Sequence, residues 1–484
     1  MFKKIISMFV SSLLFLNLWV NFANAKNLEQ MSIEEKIGQI ICLELDTWSN
    51  ETQRNLQNSG SIRTSVIKAI ISKKSINEII LFVKKIVNQE KAEKLIADLQ
   101  TAINQNNEFI SISKIFDENS ISTEQSKKII CRLQQIISQN SFVPLTEIND
   151  EVKEVIEKYH IGGVNLLNKN FENKEQAKKL INDFQKAAIC SGNPPLLVCA
   201  DQEGGRVEKF AFDREKLKEN AEIKTPEEAF QKGETIGKEL KEIGINCNFA
   251  PVVDINSNPK NPIINTCSFA DNAEVVSEFG KKFMEGLHSQ NIISTAKHFP
   301  GHGDTNLDSH LELPIVNKNL NELEALELIP FQAMIDAGVD MIMIAHIEFP
   351  KIENKTFVSK KDGKEFCLPA TVSHFILTDL LRNKMGFNGV IITDAMNMKA
   401  ISENIGEAEA VKMAIQAGAD IVLMPAYLRS KSDTAKLDQI YNVLKEALEN
   451  NEISEKQLDE SVKRILKLKD KYCNNLKQEI ETPK

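Results

Sequence analysis

Eight short apolar runs, each followed by an amphipathic helical pattern, constrain this chain more than any other feature. The runs are Ile37–Leu45, Ile161–Leu167, Leu196–Ala200, Ile245–Val253, Ile292–Ala296, Met341–Ala345, Gly389–Thr393 and Asp420–Met424. Most are near-continuous hydrophobics rather than alternating ones, which suits parallel strands buried on both faces. Between them, Glu227–Ile243, Leu320–Ala337 and Ala408–Ala417 are clear helical stripes, and Gly244, Gly338 and Gly418 stand where helices end. Eight β/α units in a row predict an α/β fold, a (β/α)8 TIM barrel. A doubly wound open sheet is the competing arrangement, but it has no need of eight units.

A barrel of this kind presents its chemistry at the C-terminal ends of its strands. Asp201, Asp254, Lys297, His298, His346 and Asp394 all stand at or just past the ends of predicted strands. The densest stretch is Lys297-His298-Phe299-Pro300-Gly301-His302-Gly303-Asp304, followed by Asp308-Ser309-His310. Its Gly and Pro content predicts a loop after the fifth strand. A zinc site is one reading of so many histidines. Metallohydrolase barrels usually place a His-x-His pair at the first strand, however, and here that strand ends Cys42-Leu43-Glu44-Leu45-Asp46. The other reading is acid/base chemistry on a sugar, which needs a carboxylate nucleophile and a group that first donates and then accepts a proton. Asp394, at the end of a buried apolar strand, fits the first role. His310, with Asp308 two residues away, fits the second.

Residues 1–25 read as a signal peptide: Lys3 and Lys4, then apolar Ile5–Val20, then Ala23-Asn24-Ala25 before Lys26. The expectation is an exported protein, periplasmic or extracellular, with no membrane span after cleavage. Loss of Lys3 and Lys4 takes the formal charge from −9 to −11. An acidic chain without a basic stripe argues against a nucleic-acid partner. The eight cysteines are scattered without a CxxC pair, so neither a disulfide framework nor a zinc motif is expected. Residues 26–475 form the predicted barrel, 47–142 interrupt it as a helical insert, and 476–484 form a tail. The insert's stripes are Ile76–Val83, Leu95–Ile103 and Ile129–Ile137. An appendage packed on itself or on the barrel is one reading of it, and a module for an unknown partner is the other.

The pattern Lys-His-Phe-Pro-Gly-His-Gly, four residues, then Asp-Ser-His resembles the β-N-acetylhexosaminidases of glycoside hydrolase family 3. So do Asp201-Gln202-Glu203-Gly204-Gly205-Arg206, Ala250–Asp254 and Gly389–Asp394, and the likeness runs from about Met31 to Lys469. The resemblance implies Asp394 as nucleophile, His310 as acid/base and Asp308 as its partner. It implies that Asp201, Lys297 and His298 hold the sugar's hydroxyl and acetamido groups, that no cofactor or metal is needed, and that the substrate is β-linked N-acetylglucosamine on peptidoglycan fragments. Two positions depart from the family. Cys267 stands where a sugar-binding Arg is usual, and Lys209 replaces another common Arg. Cys offers no forked cation; Arg206 and Lys209 are the nearest substitutes in sequence. Two other readings remain: a catalytically weak protein that only binds muropeptides, and a β-glucosidase-like hydrolase of the same family. Phosphate rather than water as acceptor also stays open.

Overall fold

The computed structural model describes residues 28–48, 61–63, 94, 98, 109–111, 143–305 and 313–481. The expected signal peptide, the three stripes of the insert (Asp98, which is helical, apart), and Asp308 and His310 lie outside the described residues.

Eight parallel strands form one sheet: β1 Ile41–Glu44, β2 Gly163–Asn165, β3 Leu197–Ala200, β4 Cys247–Asn248, β5 Ile293–Phe299, β6 Met341–Ile344, β7 Val390–Thr393 and β8 Val422–Leu423. β1 pairs with β2 on one side and β8 on the other. A parallel bridge between Ile392 and Ile421, with Thr393 N–H donating to the Ile421 carbonyl at 3.0 Å, closes the ring. Every residue of these strands except His298 is buried, as the unbroken apolar runs require.

The helices are set by local chemistry. Pro226–Ile243 starts with Thr225 accepting from the Glu228 N–H and Pro at its first turn, and stops at Gly244 with φ 93°. It packs on Ala273–Ser289 almost backbone to backbone: a methyl on Gly233 would lie 2.1 Å from the Phe283 carbonyl oxygen, and one on Gly286 2.3 Å from that of Phe230. Two boundaries correct the sequence reading. Ile37–Gln39 belong to the helix Ile33–Gln39, whose Ser32 and Glu35 form a reciprocal capping box, so β1 begins only at Ile41. The expected helix Leu320–Ala337 is two, Leu320–Glu324 and Leu328–Asp336, because Pro330 lacks the N–H that a continuous helix would use there.

The N-terminal end of the barrel is tied to the helix Glu455–Glu481. Asp420, fully buried before β8, accepts from Arg464 Nη2 (2.8 Å), Ser461 Oγ (2.8 Å), Arg382 Nη2 (2.7 Å) and the Ile391 N–H (2.8 Å). Asp340, before β6, is held by Lys471 (2.9 Å), Tyr472 OH (2.9 Å) and His288 Nε2 (2.7 Å). Lys469 is buried and donates to Gln39 Oε1 at 2.7 Å.

The chain divides into two compact units. The barrel comprises the described residues through Asp46, Thr146–Leu428 and those from Asp433; the second unit is Thr47–Leu145 with Arg429–Ser432. Within the second, Thr47–Trp48 pairs antiparallel with Val143–Pro144, and Ser61–Arg63 with Phe109–Ser111. No described cysteine is in a disulfide. Among the described residues no helix is long and apolar enough to cross a membrane.

Candidate active site

A cavity of ≈ 370 Å³ opens at the C-terminal ends of the strands. Five residues expected from sequence line it: Asp394, Asp201, Lys209, Lys297 and His298. The remaining two, Asp308 and His310, lie outside the described residues.

Lys297 and His298 are the last but two and last but one residues of β5, which runs to Phe299, so the strand carries them and the loop starts later than the sequence suggested. The Lys297 ammonium is 2.7 Å from both Asp201 Oδ1 and Glu203 Oε1. Burial alone would lower the Lys297 pKa, but the two carboxylates outweigh it and hold the amine charged to higher pH than usual. Burial likewise opposes the Asp201 carboxylate, yet Lys297 and then Lys209 keep its pKa below the ordinary value. The result is a fixed cation flanked by two anions, with Asp201 at the cavity wall.

Its neighbour is built the same way. Asp254, buried beyond β4, accepts the His298 Nδ1–H at 2.7 Å, the His298 backbone N–H at 3.1 Å and the His302 backbone N–H at 2.6 Å. Desolvation disfavours the His298 imidazolium, but Asp254 prevails and raises its pKa. His298 Nε2 has no bonded partner among the described residues, so its N–H is available to an oxygen in the cavity. His302 does different work. Its ring bonds Thr305 Oγ1 at 3.0 Å, Asn261 Nδ2 donates to its carbonyl at 2.8 Å, and burial followed by the charge on His298 lowers its pKa. It holds the loop and does not line the cavity.

Local geometry explains the Asp-Gln-Glu-Gly-Gly segment after β3. The Gln202 side chain accepts the Lys209 N–H at 2.8 Å and donates to the Phe210 carbonyl at 2.7 Å, folding the loop back so that Lys209 reaches the wall. Asn248 of β4 clamps the Gln202 backbone through both its amide groups, at 2.9 Å each. Gly204 and Gly205 have φ of 84° and 62°, and a methyl on either would meet Lys232 Cε at 2.6 Å or Glu219 Cδ at 2.5 Å.

Asp394 follows β7. Its N–H bonds the Ile344 carbonyl of β6 at 2.9 Å, and its Oδ1 accepts from the Ala395 N–H at 2.7 Å. His346, buried after β6, steadies that turn: Nε2 donates to the Ala395 carbonyl at 3.0 Å while Nδ1 lies 2.6 Å from Thr371 Oγ1.

Cys267 is indeed on the wall, and a cation covers its sulfur. Arg206 Nε donates to Cys267 Sγ at 3.2 Å, and its Nη2 donates to the carbonyls of Ile263 and Ile264, the latter at 2.9 Å. Burial and the charge of Glu203 push the Cys267 thiol up to about 11, so it stays neutral. Of the two substitutes expected, Arg206 is the one in contact with Cys267. Several lining residues carried no sequence signal of their own. Glu203 sat inside a quoted motif without a role, Tyr427, 42% exposed beyond β8, looked like loop, and Asn165 and Asn397 were single polar residues in apolar surroundings.

Residues 127–468 match the family model "Glycosyl hydrolase family 3 N terminal domain". The chain is 40% identical to β-hexosaminidase A of Pseudoalteromonas piscicida, over 68% of this chain and 56% of that protein. It is 34% identical to β-hexosaminidase of Tolumonas auensis, over 57% of this chain and 79% of that one. Among solved structures it resembles a glycoside hydrolase family 3 β-N-acetylglucosaminidase from Paenibacillus sp., with TM-score 0.62 and 36% identity, covering 70% of this chain and 61% of that chain. The chain thus spans 56% of the Pseudoalteromonas relative and 61% of the Paenibacillus one.

Proposed function

Because the chain belongs to glycosyl hydrolase family 3, we propose that it is an exo-acting, retaining β-N-acetylglucosaminidase with Asp394 as nucleophile. The observation that carries this reading is the Asp394 carboxylate after β7 sharing one cavity with two charge-assisted clamps, Lys297 with Asp201 and Glu203, and His298 with Asp254. Fixed donors and acceptors of that kind suit the close-set hydroxyls of a pyranose. Asp394 attacks C1 and forms a glycosyl ester, which water then hydrolyses. His310, oriented by Asp308, protonates the leaving oxygen and then deprotonates the water. Asp201, Lys209, Lys297 and His298 hold the sugar.

An exported enzyme of this activity would act on peptidoglycan fragments, which carry β-linked N-acetylglucosamine. The leader-like residues 1–25 support export. Incubation with a defined muropeptide, with the released sugar followed by NMR, tests reaction and stereochemistry together. Release of N-acetylglucosamine as the β-anomer is the expected result; an α-anomer first product, or no release, would overturn the reading. A mechanism-based fluoro-sugar that labels Asp394, located by peptide mass spectrometry, tests the nucleophile separately.

A further inference from the structure

A lysine that the mechanism does not use is buried behind the part of the wall formed by Arg206 and Cys267. Lys232, on the helix Pro226–Ile243, is 5% exposed. A methyl on Gly204 would lie 3.0 Å from its Nζ, so the amine rests directly against the loop after β3. The carboxylates of Glu203, Glu219 and Glu208 act on it through space, as does the Cys267 thiol. Among the described residues none of the three carboxylates forms an ion pair with it. The one hydrogen bond of Nζ goes to a neutral group, Asn220 Oδ1, at 2.6 Å. Burying a cation on a neutral partner is costly, which points to a role for the charge.

That bond leads to the cavity. Asn220, itself buried, donates from Nδ2 to the Cys267 carbonyl at 2.7 Å. The Cys267 sulfur accepts from Arg206 Nε at 3.2 Å, and the carbonyls of Ile263 and Ile264 just before it accept from Arg206 Nη2. Glu219, next to Asn220 in the chain, fixes the other end of the same arginine. Its Oε1 accepts the Arg206 backbone N–H at 2.8 Å and its Oε2 the Thr266 hydroxyl at 3.1 Å. Asn220 and Glu219 thus join the loop after β3 to the segment after β4, and the Arg206 guanidinium lies across the joint.

An ammonium has three donors and no acceptor, so it dictates which way a neighbouring carboxamide points. Facing Lys232, Asn220 presents its oxygen, which leaves its nitrogen for Cys267. A neutral amine carries a lone pair and tolerates either orientation of the amide, and a hydrocarbon side chain dictates neither. We infer that Lys232 is a positioning residue for sugar binding: its ammonium orients Asn220, Asn220 holds the Cys267 backbone, and Cys267 seats the Arg206 guanidinium at the cavity. The inference rests on the β-N-acetylglucosaminidase reading and adds to it a dependence on pH. Burial lowers the Lys232 pKa to about 8, against the opposing pull of Glu203, Glu219, Cys267 and Glu208. The charged form does the orienting, so the hold is complete well below that value and is lost as pH rises through it.

Initial rates on nitrophenyl β-N-acetylglucosaminide, measured from about pH 6 to about pH 9, test it in wild type, Lys232→Met, Arg206→Ala and the double variant. Near neutral pH, Lys232→Met should raise KM about tenfold with kcat changed by less than about twofold, as loss of one seated contact predicts. KM in the double variant should be no higher than in Arg206→Ala alone, because both changes remove the same contact. Wild-type KM should climb above about pH 8, and the climb should be absent from Lys232→Met. A lysine that only supports the fold would lower stability and leave KM and its pH profile unmoved. Where circular dichroism shows Lys232→Met unfolded, Lys232→Gln takes its place and the same comparisons decide. An unchanged KM, losses that multiply in the double variant, or a variant that keeps the wild-type climb overturns the inference while leaving the enzyme's activity standing. A wild type that releases no nitrophenol from this substrate rejects the underlying activity, and the positioning role with it.

Discussion

Lys297→Met removes the cation between Asp201 and Glu203 while keeping the length of the stem. Lys297 is 4% exposed at its side chain and its two contacts are 2.7 Å long. At an effective dielectric of about 20, each contact amounts to about 6 kcal/mol of attraction. Dehydrating the three charges and the repulsion between the carboxylates offset most of that. Removal of one partner from such a buried pair typically costs about 3–5 kcal/mol. The pH dependence identifies the cause. In wild type the lowered Asp201 pKa gives stability that is present above the unfolded value of about 3.9 and lost as pH falls through the lower folded value. The raised Lys297 pKa gives stability that is full below about 10.4 and lost as pH rises through the higher folded value. In the variant the two carboxylates face each other unshielded, so one takes up a proton well above the ordinary range. Urea denaturation should therefore show the wild-type advantage at its full size near pH 7 and shrinking toward pH 4. A difference that stays constant from pH 7 to pH 4 would refute the electrostatic account and make the loss one of packing.

Asp394→Asn should lower kcat by several orders of magnitude, about 4–8 kcal/mol of barrier, because an amide cannot form the glycosyl ester; steady-state activity within tenfold of wild type would remove it as nucleophile. His310→Ala should slow substrates with poor leaving groups far more than activated aryl glycosides, and Asp308→Ala should do so more mildly, as a leaving-group series will show. Arg206→Ala should raise KM about tenfold with kcat little changed, since the guanidinium over Cys267 is the charge that wall offers; initial-rate kinetics check it. Asp420→Asn should destabilise the fold by about 3–5 kcal/mol by stranding Arg382 and Arg464, and a loss under about 1 kcal/mol in chemical denaturation would contradict that estimate.

The barrel was legible because strands buried on both faces leave little choice of residue. β6, Met341–Ile344, and β7, Val390–Thr393, stand in the sequence almost as they stand in the ring. Where the reading slipped, a local cue lost to a stronger pattern. The apolar run from Ile37 masked the Ser32/Glu35 capping box, and Pro330 was overlooked inside a long stripe. Lys297 and His298 looked like loop because two charged residues suit no buried strand alone. Their partners, Asp201 and Asp254, come from positions 96 and 44 residues away, and only the folded ring supplies them. The five lining residues among those expected were found by their charge. Asn165 and Asn397 were not, since a single carboxamide in an apolar run has no spacing or periodicity to mark it.

The clasp of Asp340, Asp420 and Gln39 by one helix sets the order in which this chain can finish folding. Gln39 meets Lys469 across 430 positions of sequence, and β1 meets β8 across about as many. Until Glu455–Tyr472 is in place, Asp420 lacks Arg464 and Ser461, and Asp340 lacks Lys471 and Tyr472. Chains truncated before that helix should therefore be less stable and more open to proteases than the full chain. One helix at the end of the barrel opposite the cavity thus ties the start of the chain to its end.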